Sequence, residues 1–310
     1  MNAFENVVDV MVETTSMQEA VKIAQKLAEK GIKPTSDALL FAAQGSRRES
    51  NTLETYKYLV EEVKIKATAQ NKAGQNVLHF LAGKPNQAEI IKYFLGKGVD
   101  VNKADKEGNT SVMVAAVARE TAVLELFLPS VKNINAQNLK GESALTFAVR
   151  NGTPEAVNLL LTKGADVNVK NKAGNNLGVY LVQSYRPAGR EKVATDPFDA
   201  KAKLLQDKGL NLTAPQKDGN TLYHLAITKN DVSLLKKITD LKVDINAKNK
   251  DGLTALHRAA MTSKDDAILK YLVSAGAKKD ISTEFDETAY ALAKENELLT
   301  KNNVSVEFLK

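Results

Sequence analysis

Histidine is the side chain best suited to gaining and losing a proton near neutral pH, so acid–base chemistry would centre on His79, His224 and His257. All three occupy one register, the fourth residue counted from a cap-type residue: Asn76, Thr221 or Thr254. Met113, Thr146 and Val179 fill that register elsewhere, so the position does not require a proton carrier. The Ser and Lys residues show no fixed pairing that would match a nucleophile to its base. Metal chemistry lacks ligands: there is no His-x-x-x-His, no cysteine, and no acidic loop with calcium spacing. Asp105 to Asn109 shares only its first residues with such a loop, and the same slots elsewhere read NKAGQ and NLKGE. No glycine-rich loop follows a strand, as a phosphate cradle needs. The sequence therefore predicts no catalytic residue, no metal and no cofactor.

The histidines share a register because the chain repeats. NKAGNNL recurs as NKAGQNVLHFLA, DKEGNTSVMVAA, NLKGESALTFAV, QKDGNTLYHLAI and NKDGLTALHRAA, with Gly74, Gly108, Gly141, Gly174, Gly219 and Gly252 aligned. Their spacings are 34, 33, 33, 45 and 33 residues, and internal periods of this size mark stacked repeat units. Within each unit, glycine gives the positive φ of a tight turn, and Thr, Ser143, Asn76 or Asn176 caps the helix that follows. That first helix is short, with small apolar residues such as Ala255, Leu256, Ala259 and Ala260. A second helix such as EAVNLLLTKG places Ala156, Val157, Leu160 and Leu161 at helical spacing. It stops at Gly164, as the others stop at Gly98, Gly209 and Gly276, in a left-handed cap.

The period, the TALH-type helix start and the GADVN-type ending resemble ankyrin repeats, most clearly in DGLTALHRAA and GESALTFAVRNGTPEAVNLLLTKGADVN. The resemblance implies an all-α solenoid of stacked antiparallel helix pairs joined by β-hairpin-like turns, one domain over residues 1–310. About eight repeats plus a partial C-terminal cap are expected. Residues 1–34 form an N-terminal capping repeat, 35–284 the repeats and 285–310 the C-terminal cap, with Glu287 where glycine is expected. The histidine register is structural in this family, its ring bonding the backbone of a neighbouring turn. At ~10 Å per stacked helix, His79 and His257, with four repeats between them, cannot share a site. Two units exceed the period, through GSRRESNT near 45–52 and YRPAGREKVATD near 185–196. Inserts of this kind fall in loops on one side, where they either contact a partner or are simply tolerated.

Composition agrees with a folded array: 43% of residues are apolar and 26% charged, while only 5% are aromatic and tryptophan is absent, so aliphatic side chains must fill the interior. A net charge of +6, spread along the chain, favours acidic partners weakly and nucleic acid less. No run of about 18 apolar residues predicts a membrane span. Residues 1–13 lack the basic and apolar parts of a signal peptide. The compartment is expected to be cytoplasmic if Met1 is the native start, and exported or periplasmic if a signal was removed.

The function implied is a non-catalytic scaffold that binds an unidentified protein, one with an acidic surface, through its concave face and turn tips. The chain is expected to act as a monomer, without nucleic acid or membrane. The alternative is an enzyme regulator or inhibitor acting through the loop at 185–196, with Tyr185 and Arg186 as its contacts. At the tips, Lys72, Lys106, Lys172, Lys217 and Lys250 precede the turn glycine by two residues, and Lys140 by one. Glu107, Asp218 and Asp251 offset part of that charge, and aromatic residues for base stacking are missing from these six tips. Further tip contacts are expected at Gln75, Asn109, Glu142, Asn175, Asn220 and Leu253. First-helix ends add Val117, Arg150, Gln183, Thr228 and Met261.

Overall fold

The computed structural model describes residues 36–45, 52–187 and 197–310. The expected N-terminal capping repeat, most of the shorter insert, and residues 188–196 of the longer one lie outside the described residues. The chain divides into two compact units, Met1–Ala165 and Asp166–Lys310. Among the described residues both consist of helix pairs and turns, and strand-like pairing is limited to three isolated antiparallel bridges, one being Gln137 with Ser143.

In unit 1 the first helices are α1 (Ser36–Gln44), α3 (Val77–Leu81), α5 (Ser111–Ala115) and α7 (Ala144–Asn151). Their partners are α2 (Leu53–Lys57), α4 (Ala88–Gly96), α6 (Ala122–Phe127) and α8 (Pro154–Thr162). First helices pack in succession, α1 on α3, α3 on α5 and α5 on α7, while α2, α4 and α6 form a second layer. In unit 2 the first helices are α9 (Leu177–Ser184), α11 (Leu222–Ile227), α13 (Ala255–Thr262) and α15 (Ala289–Glu295). Their partners are α10 (Phe198–Asp207), α12 (Val232–Asp240), α14 (Ala267–Ser274) and α16 (Glu297–Lys301), and first helices again stack on first helices.

Helix α8 shows how the sequence makes such an element. Thr153 Oγ1 accepts from the Ala156 amide at 3.3 Å, and Pro154 sits at the first helical position, where its missing N–H costs nothing. Ala156, Val157, Leu160 and Leu161 are buried on one face. Removing a leucine such as Leu160 from water contributes roughly 1.5–3 kcal/mol. At the far end Gly164 and Ala165 donate back to Leu161 and Leu160, closing the last turn with Gly164 at φ 88°. Small residues line the other layer, where Ala82, Ala116, Ala148, Ala226 and Ala259 are fully buried and let first helices approach closely.

Some termini use other residues. Lys64, Lys242 and Asn303 take the left-handed cap where other repeats carry glycine, at φ 63°, 61° and 55°. Helix α2 runs into a wider turn over Tyr58–Glu62, in which the Val63 amide reaches back five residues to the Tyr58 carbonyl. In the last turn the glycine register belongs to Asp286, at φ 58°, and not to Glu287. Thr283 Oγ1 accepts there from the Phe285 and Glu287 amides, as an asparagine carboxamide does in earlier turns. The C-terminal cap is a full helix pair rather than a lone first helix. Asn296 caps α16 and donates to the Ala260 and Ser263 carbonyls at 2.8 and 2.9 Å, fixing the cap to the preceding repeat.

Candidate protein-interaction surface

Four of the turns are organised by their first residue. Asn71, Asp105, Asn138 and Asn249 accept from the amides two and four residues on, at 2.8–3.0 Å, folding the tip without regular pairing. The tips are also tied to one another within each unit. In unit 1, Lys106 N–H donates to the Ala73 carbonyl and Leu139 N–H to that of Glu107, both at 2.8 Å. In unit 2, Lys250 N–H donates to the Asp218 carbonyl at 3.1 Å. Side chains repeat the link: the Asn138 amide donates to Asn109 Oδ1 at 2.9 Å, and that of Asn249 to Asn220 Oδ1 at 3.0 Å.

The histidines complete this framework. In each, Nδ1 accepts from the backbone amide of its cap residue, Asn76, Thr221 or Thr254, at 3.1–3.2 Å. That bond places the ring proton on Nε2, which donates to the Asn109, Leu253 or Ile281 carbonyl of the following turn at 2.9–3.1 Å. Both nitrogens are committed, leaving none to act on a substrate. Burial holds all three below the usual histidine pKa, opposed by the hydrogen bond to the carbonyl.

The turn, capped first helix, second helix and left-handed close recur through both units. The family model for ankyrin repeats, in three copies, matches residues 78–171 and 196–298. The chain belongs to the ankyrin-repeat family. Among solved structures it is similar to the human ASB11 ankyrin repeat domain, at 19% identity with a TM-score of 0.58, over 74% of this chain and 98% of that one. That likeness concerns the fold, an all-α ankyrin solenoid. Comparison with curated proteins finds no match. Ankyrin repeats are generally protein–protein interaction modules, and the fold is typically non-catalytic.

On this ankyrin framework the candidate contacts separate into two groups. Lys72, Lys106, Lys140, Lys172, Lys217 and Lys250 are exposed at the tips, and among the described residues none makes an ion pair. Asn175, Leu253 and Val117 are half-buried, while Gln183, Thr228 and Met261 are exposed at first-helix ends. Asn109, Asn220 and Gln75 are half-buried and spend polar atoms on neighbouring tip residues. Arg186 is exposed and donates to the Gln183 and Tyr185 carbonyls.

Two expected contacts point inward instead. Glu142 is buried, because its carboxylate accepts from Arg150 Nη1 at 2.6 Å and from Asn138 Nδ2 at 3.2 Å. Arg150 is thereby half-buried as a structural partner. Tyr185 is buried, its ring edge-on to Phe198 at 6.4 Å, so the first residue of the longer insert joins the α9–α10 core. Sequence reading also overlooked Asn102 and Asn246. Their amides donate to the Ser130 and Gly276 carbonyls while their oxygens accept from Lys132 and Lys278, linking successive second-helix ends. Their shared place two residues after the aspartate of a Val-Asp pair was the available signal.

Proposed function

We propose that this ankyrin-repeat chain is a non-catalytic scaffold that captures a partner protein through its tip lysines and the exposed ends of its first helices. The observation that carries this is the division of labour at the tips. Asparagines, aspartates and histidines there are hydrogen-bonded within the framework, whereas six lysines project into solvent without an ion pair among the described residues. Exposed cations repeated along the tips of each unit attract an acidic protein surface and raise its association rate. The reading of 185–196 as an inhibitory loop is less favoured, because Tyr185 is spent on the core.

Affinity capture from the source cells tests this, using the intact chain beside Lys72→Glu/Lys106→Glu/Lys140→Glu and Lys172→Glu/Lys217→Glu/Lys250→Glu. A partner held at ~0.1 M salt, released at ~0.5 M and lost with at least one triple variant is expected. A captured set indifferent to salt and to both variants would reject the lysines as its anchor.

A further inference from the structure

We infer that a pocket in unit 1, between α5, the start of α7 and the loop that follows α6, binds a ring-sized uncharged molecule bearing one hydroxyl, of which phenol is the simplest. This goes beyond the protein-binding reading and depends on none of the tip lysines.

The pocket exists because α6 closes differently from other second helices. After Gly98, Gly164, Gly209 and Gly276, the next residue donates its amide to the carbonyl five residues back: Val99 to Phe94, Ala165 to Leu160, Leu210 to Leu205 and Ala277 to Leu272. Each of these four residues is buried. Helix α6 runs instead into a tighter turn over Leu128–Ser130, with Pro129 inside it, and the Val131 amide reaches only to the Leu128 carbonyl at 3.2 Å. From Ser130 to the turn glycine Gly141 the chain is also one residue longer than from Gly98 to Gly108. Val131 and Ile134 stay half-buried, and a space of about 150 Å³ opens, lined by Val112, Met113, Val131, Ile134, Ala136 and Ala144.

Its polar groups select the occupant. Asn102 also lines the pocket, but its amide donates to the Ser130 carbonyl and its oxygen accepts from the Lys132 amide, both at 2.9 Å. Among the described residues no carboxylate lines it, and the one ammonium, that of Lys132, is exposed. Thr110 is different. It is buried, it lines the same space, and its hydroxyl has no hydrogen-bond partner among the described residues. At the equivalent position Asn76, Thr221 and Thr254 bond the ring of a histidine three residues on, and Ser143 bonds the Thr146 hydroxyl. Here that residue is Met113, whose thioether is a weak acceptor and no donor. A buried hydroxyl left unbonded is unfavourable, so a ligand that bonds it recovers that loss. A dry space of about 150 Å³ holds one benzene ring. Apolar walls, one unsatisfied hydroxyl and no buried counter-charge together fit a neutral ring with one hydroxyl.

The test follows the methyl NMR signals of the full chain, Val112 and Met113 among them, as phenol and benzene are titrated in separately. Phenol is expected to bind, with benzene about fivefold weaker for want of the hydroxyl. Thr110→Val, which removes no hydrogen bond found among the described residues, is expected to erase that preference. Ala136→Leu, which fills the space from the loop, is expected to abolish binding of both. Acetyl-tyrosine amide separates two sources of the same chemistry. Its binding as phenol binds assigns the pocket to a tyrosine of a partner protein, its exclusion to a free small molecule, and either result upholds the site. Unmoved pocket methyls up to the solubility limits of both ligands overturn the proposal, as do shifts that survive Ala136→Leu. Equal binding of phenol and benzene by the unaltered chain also overturns it, since Thr110 then recognises nothing. Should Ala136→Leu melt early, Thr110→Val decides the matter.

Discussion

Gly219, at a turn tip, and Gly164, at the end of α8, hold nearly the same backbone conformation, with φ of 80° and 88°. Their surroundings differ. A Cβ at Gly219 would lie 2.7 Å from the Lys250 amide nitrogen and 3.0 Å from the Asn249 backbone. At Gly164 a Cβ would meet nothing within 4 Å. The tip glycine is thus required twice, for its torsion and for the approach of the next turn, and the helix-end glycine once. Lys64, Lys242 and Asn303 confirm that the second kind of site accepts a side chain at some strain. The tips thus couple neighbouring repeats through backbone, asparagine and histidine bonds, beside the asparagine links at the second-helix ends.

Gly219→Ala should therefore be the most damaging of the changes considered, costing about 2–4 kcal/mol from left-handed strain plus displacement of the neighbouring tip. Urea unfolding would measure it, and a cost below that of Gly164→Ala would break the distinction. His224→Ala, which removes the bond to the Leu253 carbonyl and leaves buried groups unsatisfied, should cost about 1–3 kcal/mol near pH 7. That cost should shrink on acidification. Because burial lowers the folded-state pKa, the unfolded chain binds more protons, so this stabilisation is complete above ~6.5 and declines as pH falls below it. Melting temperatures of the two proteins between pH 7.5 and 5 should converge. Gly164→Ala should cost about 1–2 kcal/mol, the strain alone. Smallest of all, Lys242→Gly should gain about 0.5–1 kcal/mol, since relief of the left-handed strain exceeds the added freedom of the unfolded chain.

The sequence displayed the framework well because each device is local. Glycine before a Thr or Asn cap, alanine on the close-packed face and glycine after the second helix are readable from torsional preference and period alone. The histidine register was legible as structural through its resemblance to the family. What stayed hidden depended on partners distant in the chain or on which way a side chain turns. Glu142 reads as an exposed tip acid until Arg150, eight residues on, is seen to draw it inward. Tyr185 opens a polar insert, yet Phe198 lies across the loop to receive its ring.

Asp286 bears on how a further repeat could be added by design. Among the described residues no later turn of this repeat kind follows its own, and an aspartate occupies the left-handed slot. A repeat grafted after residue 310 would bring a new turn against that slot, as Lys250 comes against Gly219. Lengthening the protein by design would thus begin by restoring glycine at 286.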